Sequence, residues 1–249
     1  GWVHFKGQNL ADLSETELRS LRKEMQMIFQ DPSSSINPRR TIGEVLSEPF
    51  AIHGFKENVS ESIIELLNQV GLSPNHANRY PHEMSGGQLQ RVGIARAIAL
   101  NPSLVVADEP VSALDVSVQA QVVNLMIDLK EKLGISYLFI SHDMGVVEYF
   151  CDRVAVMYLG KIVEIASSEE IYKRPCHPYT EALLNAVPGL ELGKIKQKLK
   201  VLGDTPDPST LSHGCSFHTR CPIKEKQCEE MEPTLKEVTS GHYVACFLK

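Results

Sequence analysis

A short apolar segment, 104–107, is followed directly by two carboxylates, Asp108 and Glu109. An unbroken apolar run of that length is typical of a strand buried on both faces of a parallel sheet. Open α/β sheets bind their ligands at the carboxyl ends of the strands, where these two acids would stand. Asp108 is suited to hold Mg²⁺ through water, and Glu109 to polarise an attacking water. Taken alone, the segment leaves open a strand that merely ends in an exposed acidic turn.

The segment MSGGQLQR at 84–91 predicts the start of a helix whose good helix formers run from about 88 to 100. Ser85 can cap this helix. Gly86 and Gly87 would let a phosphate group approach the exposed backbone N–H groups at its positive end. An ordinary capped surface helix would explain the glycine pair by itself, but it explains the whole string followed by an acidic strand end less well.

Two more strand-like segments end in polar residues: 137–140 precede His142 closely, and 25–29 precede Gln30. A histidine at a strand end can donate to a γ-phosphate, or hold a water and a carboxylate in place. A neutral amide such as that of Gln30 could sense a metal ion and the γ-phosphate without competing as a ligand. Neither residue carries much signal alone, because a lone histidine is more often an ordinary surface or core residue.

The remaining pattern alternates helices and strands. Ser14 and Glu17 form a capping box at the start of a helix. Further helices are predicted near 41–52, 60–70, 116–133 and 143–151, and strands near 104–108, 136–141 and 153–159. A turn at Gly160 leads into 162–166, which predicts a closing hairpin. No internal repeat appears, and each motif occurs once.

In this order the motifs resemble those of the nucleotide-binding subunits of ABC transporters. The segment 84–88 resembles the family signature, with Met84 in place of the usual Leu, and 104–109 resembles Walker B. The D-loop, the switch histidine and the Q-loop have their counterparts in 112–115, His142 and Gln30. Together these motifs are far more specific than any one of them.

The detailed sequences of three segments are similar to those of oligopeptide/dipeptide importers. Among these importers, they are similar to the F-type of the two ATPase subunits. These segments are 28–50, 108–126 and 174–184. The resemblance covers essentially the whole chain and implies an α/β fold, that of a P-loop NTPase of ABC type with a parallel sheet core. It predicts an ABC domain over 1–166, with a helical subdomain at about 40–100, and an irregular C-terminal extension over 167–249.

The resemblance also implies ATP and Mg²⁺ as cofactors. Hydrolysis would then depend on Glu109, His142 and Gln30. Residues that contact the nucleotide would be Ser85, Gly86, Gly87, Gln88, Asp108 and Asp115. The Mg²⁺ ion would be held by Asp108 and Gln30.

In this family two ATPase subunits close head to tail around two ATP molecules, so that the signature of one completes the γ-phosphate site of the other. The resemblance therefore implies a homologous D-type subunit, two transmembrane permease subunits and, indirectly, an extracytoplasmic peptide-binding protein. It places the chain at the cytoplasmic face of the cell membrane. Peptide is the expected solute, although nickel, sugars or other solutes move through relatives.

No G-x-x-x-x-G-K-[ST] phosphate-binding loop occurs in the 249 residues. The nearest candidate, 189–194, has the wrong spacing and no hydroxyl residue after Lys194. Residues 1–8 resemble the strand and turn that follow the phosphate-loop helix in this family. The resemblance therefore predicts a chain truncated before or through Walker A, which lacks ATPase activity alone although the intact protein hydrolyses ATP.

Four of the six cysteines are concentrated near the end of the chain, at Cys215, Cys221, Cys228 and Cys246. In a chain of cytosolic type this indicates metal rather than disulfides. The spacing lacks the tight C-x₂-C of a zinc knuckle, and irregular loops with four thiolates suit a [4Fe–4S] cluster better. The matching tail of oligopeptide-importer ATPases is known to hold one. Reduced cysteines packed as small hydrophobes remain the alternative, and we expect that state for Cys151 and Cys176.

Composition limits the other classes of function. A net charge of −6 argues against a surface for nucleic acid or anionic lipid. No apolar run approaches the ~18–20 residues of a membrane helix. A Lys-rich stretch at 193–200 indicates a solvated linker. Two alternative functions remain. One is an ABC ATPase of translation or DNA repair, which would call for tandem cassettes, long heptads or a basic face. The other is a non-catalytic module that supplies the signature in trans.

Overall fold

The computed structural model describes residues 1–187, 202–203, 206 and 213–249. The chain divides into two compact units, Gly1–His142 and Asp143–Lys249. The predicted domain boundary at 166/167 remains a prediction, and the predicted linker at 193–200 lies outside the described residues. In the described part of the chain, no helix is both long and apolar enough to cross a membrane.

The first unit alternates strands and helices as the sequence predicts. Its strands are β1 (His4–Phe5), β2 (Gln8–Asn9), β3 (Met25–Ile28), β4 (Leu104–Asp108) and β5 (Ser136–Ile140). Its α-helices are α1 (Glu15–Leu21), α2 (Pro32–Ser35), α3 (Ile42–Ile52), α4 (Val59–Gln69), α5 (Gly86–Ile98) and α6 (Val116–Leu133). Short 3₁₀ turns lie at Leu10–Asp12, Pro74–Asn78 and Pro81–Glu83.

A parallel sheet in the order β3-β4-β5 places the carboxyl ends of three strands side by side. Ile28 pairs with Ala107, and Asp108 pairs with Ile140. The central strand is well covered, with Val105 and Ala107 fully buried. Because all three strands point the same way, the residues that follow them emerge at one edge of the sheet.

Polar caps set where the helices of this unit begin. The predicted capping box of Ser14 and Glu17 is present, and Thr41 starts α3 with a second one. Helix α5 begins at Gly86, two residues earlier than predicted, because Ser85 occupies the cap position and both glycines form the first turn. Helices α3, α4 and α5 pack on one another through buried aliphatic side chains such as those of Leu46 and Leu67.

The second unit is built on an antiparallel sheet. Its strands are β6 (Arg153–Tyr158), β7 (Lys161–Ser167), β8 (Lys236–Thr239) and β9 (His242–Val244), in the order β6-β7-β9-β8. Its helices are α7 (Met144–Phe150), α8 (Ser168–Lys173), α9 (Pro178–Asn185) and α10 (Lys226–Glu230). The predicted hairpin of β6 and β7 is present, with a register shift between Val156 and Met157.

The C-terminal extension is less irregular than the sequence indicates. Strand β9 pairs with β7, so that Glu164 lies opposite Val244, and a hairpin at Gly241 joins β8 to β9. The buried Phe217 packs against Tyr158 and Tyr179, which ties the cysteine-rich segment to the core of this unit. Strands of three and four residues carry too little pattern to be recognised from sequence, and they form here because β7 offers a free edge.

Candidate active site

The carboxylate of Glu109 accepts hydrogen bonds from residues at the ends of both neighbouring strands. The side-chain amide of Gln30, which follows β3, donates to Oε2 over 2.8 Å. On the other side, Nδ1 of His142, beyond β5, lies 3.0 Å from Oε1. This contact requires the proton to be on Nδ1, because an ionised carboxylate can only accept. The structure thus brings together three polar residues that the sequence singles out separately.

The environment of Glu109 keeps its carboxylate ionised. The hydrogen bond from His142 lowers the pKa of Glu109 below its usual range, and hydrogen bonds from Ser112 and Gln30 act in the same direction. Burial opposes this shift, but its effect is smaller than that of the His142 contact. The group is therefore negatively charged at neutral pH and available to accept a proton or to orient water.

The backbone of Glu109 is held in an uncommon conformation. Its φ of 43° lies in the left-handed region, which a side chain with a Cβ rarely adopts. Two contacts fix it there: its N–H donates to the carbonyl of Ile140 over 2.9 Å, and its carbonyl accepts from the Ser112 hydroxyl over 3.1 Å. Backbone strain of this kind is concentrated at functional sites, where surrounding contacts compensate for it. Asp108, the residue before it, ends β4 and is half-buried.

The signature segment presents the start of a capped helix. Ser85 accepts from the backbone N–H of Gln88 over 3.3 Å, while the Gln88 side chain accepts from the Ser85 N–H over 3.0 Å. Gly86 and Gly87 are the first two helical residues, whose N–H groups have no partner within a helix. Backbone donors at a positive helix end form a site suited to an anion such as a phosphate group.

Position 87 requires glycine because a neighbouring side chain lies close to its Cα, and not because of its backbone dihedral angles. A Cβ added there would lie 2.4 Å from Cγ1 of Val118 in helix α6, whereas one on Gly86 would meet only the Leu114 side chain at 3.8 Å. Asp115 caps α6 and accepts from the Val118 N–H over 3.0 Å. That bond is the main cause of the lowered pKa of Asp115. The signature helix is therefore seated directly on the segment that resembles the D-loop.

The four C-terminal cysteines share one region of the second unit. Burial is the largest cause of the raised pKa of the Cys215 thiol. The thiols of Cys228, Cys246 and Cys221 raise this pKa further. The backbone N–H of Cys215 donates to the carbonyl of Cys228 over 2.8 Å. Among the described residues, no three of the four sulfur atoms all lie within 4.8 Å of one another.

One buried polar group is not predicted by the sequence analysis. Glu164 in β7, Cys176 and His242 in β9 place their ligand atoms within 4.8 Å of one another. No motif spacing signals this group, because 12 residues separate the first two positions and 78 separate the outer two. The pairing of β7 with β9 brings Glu164 and His242 together, and the connection between α8 and α9 places Cys176 beside them.

Parallel strands whose ends carry Gln30, Glu109 and His142, beside a helix opened by Ser85 and two glycines, define an ATP-binding cassette. Comparisons with known proteins agree. Residues 1–112 match the family model "ABC transporter", and 163–228 match "Oligopeptide/dipeptide transporter, C-terminal region". A dimeric, post-hydrolysis ATP-binding cassette, MJ0796 bound to ADP and phosphate, superposes with a TM-score of 0.59 at 27% identity, over 68% of this chain and 73% of that one.

Proteins of similar sequence identify the branch of the ABC transporter family to which the chain belongs. The chain is 53% identical to the oligopeptide transport ATP-binding protein AppF of Bacillus subtilis, over 100% of this chain and 77% of the relative. It is also 53% identical to a putative peptide import ATP-binding protein of Brucella ovis, over 99% of this chain and 78% of the relative. The chain therefore belongs to the ATP-binding proteins of the oligopeptide/dipeptide ABC transporter family, as its motifs predict.

Proposed function

We propose that a protein in which this chain is joined to a phosphate-binding loop binds and hydrolyses ATP to energise an importer of oligopeptides or dipeptides, and that residues 1–249 alone are inactive. The observation that carries the proposal is the ionised Glu109 carboxylate, oriented by Gln30 and His142 at the carboxyl edge of a parallel sheet. The peptide specificity is taken from the relatives, which are named for oligopeptide transport and peptide import.

In the proposed reaction Glu109 orients and polarises the water that attacks the γ-phosphate. His142 holds the carboxylate from one side, and its largely exposed ring can turn to donate to phosphate oxygen. Asp108 and Gln30 would supply oxygen atoms, which are the ligands that Mg²⁺ prefers. Both lie at strand ends, where Asp108 is half-buried and Gln30 is exposed. The ion, when bound, neutralises charge that develops on the phosphate oxygens.

We further propose that the signature of one chain acts on ATP bound to a partner. Ser85, Gly86, Gly87 and Gln88 sit at a helix start that carries no cation of its own and that packs on 114–118. A second, homologous D-type subunit in head-to-tail arrangement would place ATP between this helix start and its own phosphate loop. The similarity to a cassette whose structure is dimeric supports this arrangement.

The remaining partners follow from the same family. They are two permease subunits in the membrane and, indirectly, an extracytoplasmic peptide-binding protein, so that the chain works at the cytoplasmic face of the membrane. The segment after Gln30, from 33 to 50, would couple hydrolysis to the permeases. Import of another solute such as nickel and a non-catalytic role that only supplies the signature are the competing functions.

Uptake by reconstituted vesicles tests the proposal. We expect vesicles that contain the permeases, the D-type subunit and the intact protein, together with peptide-loaded binding protein, to accumulate labelled peptide only with Mg-ATP. Vesicles with a non-hydrolysable ATP analogue are the control. Uptake of nickel in place of peptide would contradict the assigned solute, and full uptake when this subunit alone cannot hydrolyse ATP would favour the non-catalytic role.

We also propose that Cys215, Cys221, Cys228 and Cys246 hold one [4Fe–4S] cluster with a structural or redox-sensing role. Their proximity supports it, because the other three thiols each raise the pKa of Cys215, and so does their placement in buried or half-buried positions. Each of the four thiolates would bind a different iron of such a cluster. Hydrolysis does not need the cluster, since Glu109 and His142 already supply the required groups. Metal binding would instead add to the folding free energy of this segment.

Anaerobically purified protein is expected to be brown, with roughly four irons per chain if one cubane is bound. Serine substitution at any of the four positions should remove colour and iron, whereas Cys151→Ser should not. Colourless protein with fully titratable thiols and no iron would leave the cysteines as buried packing residues.

A further inference from the structure

A second group of metal-ligating side chains shares no residue with the four C-terminal cysteines, although its histidine, His242, lies between Cys228 and Cys246 in sequence. The carboxylate of Glu164, the thiol of Cys176 and the imidazole of His242 all place a ligand atom within 4.8 Å of one another. In the part of the chain that the structure describes, this is the one such group of three. Its members are a hard oxygen, a soft sulfur and an imidazole nitrogen.

Three separate backbone elements bring these side chains together. Glu164 lies in β7, opposite Val244 of β9. His242 is two residues before Val244 and so shares its face of the sheet, which puts it at the diagonal neighbour position of Glu164. Cys176 lies in the connection between α8 and α9. The group therefore joins the sheet to that connection.

Glu164 and His242 are almost completely enclosed, with side-chain exposures of 0% and 3%. Nε2 of His242 lies 2.7 Å from Oε1 of Glu164. The backbone N–H groups of Cys176 and His177 donate to the two oxygens of the same carboxylate, over 2.7 and 2.8 Å. A buried carboxylate needs compensation of this kind, and either a shared proton or a cation can complete it.

Cys176 is the member that an ion pair leaves unexplained. A Glu–His pair needs no thiol, yet this sulfur lies beside both groups, and its one described hydrogen bond is a long one of 3.5 Å to the carbonyl of Arg174. The thiol is only half-buried, so it offers a route of entry from solvent. The carboxylate is already oriented by two backbone N–H groups, as the outer shell of a metal site orients its ligands.

We propose that Glu164, Cys176 and His242 bind a single divalent transition-metal ion of the zinc class. One thiolate, one imidazole and one carboxylate are ligands that zinc accepts, and three protein ligands leave a fourth position for water. The thiolate and the imidazole exclude Mg²⁺ and Ca²⁺, which require oxygen ligands. The ion replaces the proton between Nε2 and Oε1, and the thiol releases its own proton on binding.

A titration of the whole chain with Zn²⁺, in competition with a chromophoric chelator, tests this site. Wild-type protein is expected to bind one more equivalent than Cys176→Ser, or to bind that equivalent at least about 10²-fold more tightly, since loss of a ligand exceeds the 10–100-fold cost of losing an outer-shell contact. Cys151→Ser is the matched control and should equal wild type. All three proteins keep the four C-terminal cysteines, so metal bound there cancels in the comparison.

Cobalt provides a second readout, which does not depend on the number of Zn²⁺ equivalents bound per chain. Co²⁺ added to wild type and to Cys151→Ser should give a thiolate-to-cobalt charge-transfer band that is weaker in Cys176→Ser by the contribution of one sulfur. Circular dichroism should show that all three proteins are folded. Equal Zn²⁺ stoichiometry and affinity in wild type and Cys176→Ser, with superimposable cobalt spectra, would overturn the proposal and leave a Glu–His ion pair beside an unrelated thiol.

Discussion

Purified as residues 1–249, the chain is expected to release phosphate from Mg-ATP at least about 10³-fold more slowly than the same chain extended at its N terminus by a segment with a G-x-x-x-x-G-K-[ST] loop. The physical reason is that the backbone and lysine of such a loop hold the β- and γ-phosphates. Loss of a single preorganised donor already costs about 10²–10³ in rate, and the loop supplies several. Glu109 would then face water with no phosphate held in line.

Steady-state phosphate release at millimolar Mg-ATP measures this difference. An extended chain whose loop lysine is changed to alanine is the control, because it has the same length but lacks the phosphate-binding cation. It should behave like residues 1–249. Equal turnover by residues 1–249 and by the unaltered extended chain would contradict the expectation and would require another phosphate-binding segment.

Much of the site could be predicted because it is encoded locally. The apolar run before Asp108 is short and continuous, which is sufficient to predict a buried parallel strand. Once the three strands are parallel, the residues after them emerge at one edge of the sheet. The strand order β3-β4-β5, which the sequence analysis does not predict, then brings Gln30, Glu109 and His142 together. The cap at Ser85 is likewise a local pattern, and only its register within the helix was predicted two residues late.

Features that depend on distant contacts could not be predicted. Nothing in the signature string reveals that Gly87 must be glycine because Val118 of another helix lies against it. The pairing of β9 with β7 depends on a free sheet edge, and the enclosure of Glu164 follows from that pairing. Cys176 was expected to be a plain packing residue because, in sequence, nothing marks it as a neighbour of a buried carboxylate and a histidine.

Glu109→Gln in the chain extended by a phosphate-binding loop is expected to leave ATP binding unchanged and to slow hydrolysis by about 10²-fold or more, as for loss of a general base. Glutamine keeps the size and one acceptor oxygen of the side chain but carries no charge to polarise water. His142→Ala should slow hydrolysis similarly, because it removes the hydrogen bond that holds Glu109. Asp108→Asn should instead weaken the dependence on Mg²⁺.

Single-turnover cleavage of bound ATP, in the extended chain paired with the proposed D-type subunit, measures whether hydrolysis depends on the carboxylate at the end of β4. Glu131→Gln, which changes an exposed carboxylate of helix α6, is the matched control and should cleave ATP at the wild-type rate. We expect Glu109→Gln to bind ATP, to accumulate closed dimers and to cleave ATP at most about one hundredth as fast as the wild type. Cleavage by Glu109→Gln at the wild-type rate would contradict this expectation.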